Sequence, residues 1–181
     1  MDFVELQNPS TNVADIGGWF ISDDKFAPKK YRIPNGTTIP AGGFVAFDES
    51  QFNAGGTGFA FSSSNDEAWI FSGDGAGELT GYAQGVSFGA GEVGVSFGRY
   101  TTSVVKIDCV TNSPTDLRCT TNHTVHFVAQ AEQTRGAANS LPKVGPIVIS
   151  EIMYHPRDIG AIDNSVDEFI ELHNISGTTV V

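Results

Sequence analysis

Charge is in short supply in this chain. Asp, Glu, Lys and Arg make up only 17% of its 181 residues, against roughly 25% in ordinary globular domains. Basic residues are scarcer still: ten Lys plus Arg stand against 21 Asp plus Glu, a formal charge of −11. A surface of that sign repels phosphate, so the expectation is no general nucleic-acid binding. The one basic cluster, Lys29, Lys30 and Arg32, reads as a solvated strand end. No apolar run approaches the ~20 residues of a membrane span. Helix signals are nearly absent; Asp48–Asn53 could form a single turn with Asp48 as its cap. Cysteine is rare, with only Cys109 and Cys119. Two thiols with nine residues between them, in a Thr-, Asn- and Ser-rich stretch, suggest a disulfide and an oxidising compartment.

What the chain does have is 40% hydrophobic residues, 21 glycines and 13 phenylalanines. That composition suits short strands joined by tight turns. Turns are signalled at Pro34-Asn35-Gly36, Pro40-Ala41-Gly42-Gly43 and Gly73-Asp74-Gly75. Between such signals lie strand-like runs, among them Phe3–Asn8, Phe44–Phe47, Gly58–Phe61, Glu67–Phe71, Val93–Phe97, Val104–Cys109 and Thr124–Ala129. Two more are Ile147–Tyr154 and Glu168–His173. In Asp2–Asn8, Val4 and Leu6 share one face and Phe3, Glu5 and Gln7 the other, the pattern of a half-buried strand. Glu67–Phe71 is nearly all apolar, as expected of a central strand covered on both faces. The spacing predicts an all-β sandwich or barrel with almost no helix.

The chain also repeats itself. Asp2-Phe3-Val4-Glu5-Leu6-Gln7-Asn8 recurs as Glu168-Phe169-Ile170-Glu171-Leu172-His173-Asn174, offset by 166 residues, with four of seven positions identical and two conservative. A repeat about one domain apart divides the chain into a sandwich over 1–144 and the first two strands of a second, truncated copy over 145–181. Met1 runs directly into a strand, and the chain reads as a piece of a larger protein.

The order of these elements resembles the lamin tail domain family. The stretch Ile149–Pro156 followed by Asp167–Asn174, then Ile16-Gly17-Gly18-Trp19-Phe20-Ile21-Ser22-Asp23, and Tyr31-Arg32-Ile33-Pro34-Asn35-Gly36-Thr37-Thr38-Ile39-Pro40-Ala41-Gly42-Gly43-Phe44 carry the likeness. Ser64–Ile70, Val95–Arg99 and Gly136–Ser140 follow the same pattern. Residues 100–128, with both cysteines, depart from it and look like an insertion. The resemblance implies an immunoglobulin-like sandwich without catalytic residues or cofactors, acting as a binding or scaffolding surface. Its bacterial versions accompany secreted or surface proteins. It also implies that the chain begins at the family's second strand. The strand Ile147–Tyr154 is of the first-strand type, so it is expected to pair beside Phe3–Asn8, in its own chain or in a partner, leaving Glu168–His173 as a spare strand.

Other constellations read blandly. His123 and His126 have H-x-x-H spacing, but on a strand i and i+3 point to opposite faces. Asp74 sits in a Gly-rich turn without the spacing of an EF-hand. Asp15, Asp23, Asp24, Asp48 and Glu49 could meet at one sandwich end and bind calcium weakly. Trp19 and Trp69 read as core residues rather than sugar platforms. Glu5 and Glu171 belong to different repeats and do not form the paired carboxylates of a glycosidase. Asn122 and Asn174 begin three-residue glycosylation sequons of the kind that arise by chance.

The sequence therefore supports a non-catalytic interaction or adhesion module, extracellular or at the cell surface, with a protein or surface polymer as partner and no metal or cofactor. A structural repeat that self-associates through Ile147–Tyr154 is the alternative, and an enzyme the least supported reading.

Overall fold

The computed structural model describes the backbone of residues 1–113 and 116–181, and the side chains of 1–102 and 124–181. The chain divides into two compact units, Met1–Lys143 and Val144–Val181.

The first unit is built almost wholly from strands: β1 (Phe3–Gln7), β2 (Ala14–Asp15), β3 (Phe20–Ser22), β4 (Tyr31–Arg32), β5 (Thr38–Ile39), β6 (Phe44–Asp48), β7 (Asn65–Gly73), β8 (Leu79–Gly89), β9 (Phe97–Ser113) and β10 (Asp116–Ala129). The helical turn α1 (Glu49–Phe52) starts where the sequence placed it. Asp48 is its N-cap residue, and the Gln51 side chain accepts the Asp48 backbone N–H at 3.0 Å.

One layer is a four-stranded antiparallel sheet in the order β4-β3-β7-β8. β7 is central, which explains its near-continuous apolar run. Opposite it lie two antiparallel pairs, β1 with β6 and β2 with β5. The inner faces meet in a core of Ile16, Ile21, Ile33, Ile39, Phe47, Phe52 and Phe59, with Val4, Leu6, Trp19 and Tyr31 packed against it. Ile21 and Ile33 are wholly buried, each such side chain stabilising the fold by roughly 1.5–3 kcal/mol. This is the expected all-β sandwich.

Three local expectations change. Gly58–Phe61 is not a strand. Its phenylalanines pack on α1 instead: Phe52 and Phe59 stack at 4.6 Å, and Phe61 meets both edge-on. A Cβ at Gly58 would lie 1.8 Å from the Phe52 carbonyl oxygen, so the chain passes too close to the helix end for any other residue. Val93–Phe97 is mostly a turn, with the Val95 N–H on the Glu92 carbonyl. Residues 100–113 and 116–128 supply most of the β9–β10 ladder, so the strands expected at Val104–Cys109 and Thr124–Ala129 are parts of two longer ones. The β-branched Thr and Val residues of this stretch favour extended backbone, and pairing of neighbouring segments closes only a short loop.

The second unit holds β11 (Ile147–Met153) and β12 (Phe169–Asn174), paired antiparallel. Ile147, Ile149, Ile152 and Met153 oppose Asn174, Leu172, Ile170 and Phe169, with an irregularity between Ile149 and Glu151. The sequence expectation set β11 beside Phe3–Asn8 and left β12 spare. In the structure the two take each other as partners, and β1 takes β6. Pairing β11 with β12 costs only the closure of the connection 154–168.

The internal repeat extends beyond sequence. After β1, the Asn8 carboxamide oxygen accepts from the Ser10 N–H and hydroxyl at 3.1 and 2.8 Å, and its NH₂ donates to the Asn12 carbonyl at 2.7 Å. After β12, Asn174 accepts from the Ser176 N–H and hydroxyl at 2.9 and 2.7 Å and donates to the Thr178 carbonyl at 2.8 Å. The same turn follows both strands. In the first unit Asn8 is buried and also donates to the carbonyls of Ile39 and Pro40 at 3.0 Å, tying the end of β1 to β5.

On the outer face of the four-stranded sheet, the Trp69 ring lies over its cross-strand partner Gly85, where a Cβ would stand 2.2 Å from the ring. Gly85→Ala must displace the indole. The expected cost is about 1–3 kcal/mol, read as a lowered urea midpoint, together with a shift in tryptophan emission. An unchanged midpoint would show that the ring is not held there.

Candidate interaction groove

The sequence of β1 alternates, and the structure uses the alternation. Val4 and Leu6 face the core, while Phe3 and Glu5 face the other way. The ladder from Phe3↔Asp48 to Gln7↔Phe44 joins β1 to β6, and the pair forms a two-stranded sheet. Among the described residues, the second edge of β1 has no ladder partner.

Along that edge runs a groove of about 1030 Å³. Its walls include Val4, Leu6, Trp19, Tyr82, Val86 and Phe97. Aromatic contacts stiffen the far side. Trp19 meets Tyr82 at 5.8 Å, and Phe61, Phe88, Phe97 and Phe127 form a row with centroids 5.6, 5.7 and 6.4 Å apart. The rim is polar. The Glu5 carboxylate accepts the Gly136 N–H at 2.5 Å. The Arg135 guanidinium lies 5.4 Å from the Phe3 ring centroid and 3.3 Å from the Asp48 carboxylate. An apolar trough with backbone donors and acceptors exposed along one side is shaped for an extended chain. The sequence pointed to this edge only through the missing first strand, which leaves a place beside Phe3–Asn8; the residue types of the trough itself gave no signal.

The residues singled out from sequence are scattered. In the backbone register Cys109 and Cys119 stand directly opposite each other in the β9–β10 ladder, not in a polar loop; their side chains lie outside the described residues. So do those of Asn122 and His123, whereas His126 is exposed on β10 opposite Tyr100. Trp19 packs on the core as expected, and Asn174 is held in the turn after β12.

The basic cluster is engaged: Lys29 faces Glu78 at 3.4 Å, Lys30 faces Asp23 at 2.5 Å, and Arg32 donates to the carbonyls of Asp74 and Gly75 at 3.2 and 2.7 Å. The five carboxylates considered for calcium each have a local partner. Asp15 takes the Gly17 N–H, Asp24 the Phe26 N–H, Asp23 Lys30, Asp48 Ser50 and Arg135, and Glu49 the Asn53 side chain. Among the described residues the one group spaced for a metal is a set that sequence reasoning passed over, His155, Asp158 and Asp163, with ligand atoms within 4.8 Å and all three exposed. Two residues between the first pair and four between the second, in a loop without periodicity, gave no signal.

Against known proteins, residues 1–85 match the family model of the Lamin Tail Domain. No curated protein matches the chain, and no solved structure does. The matched segment contains β1 to β7 and the part of β8 that supplies Tyr82, so it forms one wall of the groove and much of the other.

Asp74 closes the β7–β8 turn. Its carboxylate accepts the N–H groups of Glu78 and Ala76, each at 2.9 Å, and the Glu78 N–H is foremost in holding the carboxyl below the usual range. Asp48 is likewise lowered, first by the Ser50 hydroxyl and then by Arg135. A depressed carboxyl stabilises the fold above its unfolded pKa, near 3.9 for Asp, and that contribution is lost as pH falls through the folded value. The urea midpoint should therefore decline as pH drops below about 4, and Asp74→Asn, which keeps the acceptor and removes the charge, should shallow the decline. The same acid profile for variant and parent would refute the assignment.

Proposed function

We propose that the lamin tail domain in this chain is a non-catalytic interaction module of a larger secreted or cell-surface protein, and that it binds an extended apolar segment of a protein partner in the groove along β1. The observation that carries this reading is the coincidence of an open strand edge with an apolar trough on one side of the same strand. The family implies a binding surface rather than a reaction. Of the titratable groups bordering the trough, Glu5 is engaged by the Gly136 N–H, Arg135 by Asp48 and Glu92 by Lys143.

An extracellular setting is supported by the cysteines. Directly opposed residues of an antiparallel pair have Cα atoms about 4.5–5.5 Å apart, within the roughly 4.4–6.8 Å that a disulfide spans. The Cys109↔Cys119 register thus suits a bond, closing a short loop at the end of the hairpin and stabilising it by roughly 3 kcal/mol. Because it staples the hairpin and not the core, reduction should leave the sandwich folded. Peptide mapping of protein made under oxidising conditions should recover the two linked cysteines; two free thiols would refute the bond.

The groove is tested with an extended peptide unrelated to this chain, nine residues of alternating valine and threonine, followed by amide hydrogen exchange. Binding should slow exchange at those Phe3–Gln7 amides that do not bond to β6, by at least about tenfold, the equivalent of 1.4 kcal/mol. If exchange slows elsewhere or nowhere at millimolar peptide, the groove is not a strand acceptor.

A further inference from the structure

We infer that the occupant of the groove is the β11 strand of a second copy of this chain, paired to β1 in the register that β11 already makes with β12. The inference rests on the reading of the groove as a strand acceptor and names its partner.

The argument begins from the repeat. β1 and β12 are the same strand by sequence, offset by 166 residues, and the same Asn-Ser turn follows each. The two strands have different neighbours. β1 has β6 on one edge and the open groove on the other. β12 has β11. The chain thus displays what a strand of this type accepts on an edge, and it displays a copy of that strand whose edge is free.

The register transfers without adjustment. Subtracting the repeat offset, Ile147 falls opposite Asn8, Val148 opposite Gln7, Ile149 opposite Leu6, Glu151 opposite Glu5, Ile152 opposite Val4 and Met153 opposite Phe3. This sets Ile147, Ile149 and Ile152 on the face of Val4 and Leu6, toward the core. In the second unit those three isoleucines are 40%, 58% and 53% exposed, and their neighbours Ile170 and Leu172 are 62% and 63% exposed. A two-stranded sheet has no layer of its own to cover such a face. Moving β11 to β1 keeps a ladder of the same kind and adds burial, since β1 is backed by a packed core and β12 is not.

Glu151 would stand opposite Glu5, as it stands opposite Glu171 in the second unit, on the rim where Arg135 lies beside Phe3. A second copy is favoured over the same chain by the tether. The Lys143 N–H is bonded to the Ala129 carbonyl and the Ala131 N–H to the Leu141 carbonyl, leaving Val144, Gly145 and Pro146 before the strand. Those span about 10 Å, and short hinges invite exchange between copies. Two copies can satisfy each other in a closed pair, or each can serve the next in an open chain.

The test uses the full chain. Light scattering coupled to gel filtration should give a mass of two chains or more that falls on dilution, and Ile149→Asp should reduce it to one chain while far-ultraviolet circular dichroism stays that of the parent. Gln7→Cys and Val148→Cys, made in separate chains, should cross-link on mixing and mild oxidation, while Gln7→Cys with Ile152→Cys should not. A chain that stays monomeric, with or without a cross-link when both cysteines sit in one chain, overturns the inference. So does an assembly that survives Ile149→Asp without the Gln7–Val148 link. If the unrelated valine–threonine peptide still protects β1 in those cases, only the partner is wrong; if it does not, the groove reading falls with it.

Discussion

Ile21 and Ile33 occupy the place where the layers of the first unit meet, and their burial organises the rest. Ile21 lies on β3 between β4 and β7, and Ile33 follows β4 with its N–H on the Trp19 carbonyl. Neither β1–β6 nor β2–β5 is wide enough to stand alone. Each pair is held because it presents apolar side chains to these isoleucines: Val4, Leu6 and Phe47 from one, Ile39 from the other. The same dependence produces the groove. A narrow layer laid on a four-stranded one leaves part of the wider sheet's inner face uncovered, and β8 is where that happens.

Much of this was legible in the sequence, and the reasons are local. The turns at Pro34–Gly36 and Pro40–Gly43 announce themselves by residue type, the alternation in β1 states which side is buried, and the Glu67–Phe71 run marks a central strand. The helical turn at Glu49–Phe52 follows from a cap and nothing more. The sequence misled where side-chain packing overrode pattern. Phe59 and Phe61 look like alternate residues of a strand, yet they serve a cluster around Phe52. The strands expected at Val104–Cys109 and Thr124–Ala129 run further than their apolar residues suggest, into the Thr-rich stretch around the cysteines, where β-branching favours extended backbone.

The site was less legible than the fold. Sequence reasoning attended to residue types that carry chemistry, and those proved to be structural partners of one another: Lys30 with Asp23, Arg32 with the turn at Asp74, Asp48 with Arg135. The groove consists of ordinary core residues such as Val4, Leu6 and Val86, which differ from the rest of the core only in what stands across from them. Pairing partners are a property of topology, and only the internal repeat hinted at them.

The Asn-Ser turns have a kinetic consequence. Each is closed within five residues, Asn8 to Asn12 and Asn174 to Thr178, so its bonds need no distant segment. Loops this short close on the order of 10–100 ns, whereas the β3–β7 pairing must bring together segments some fifty positions apart and belongs to the slow, non-local phase of folding. The two turns can therefore exist before there is any sheet, redirecting the chain where β1 and β12 end.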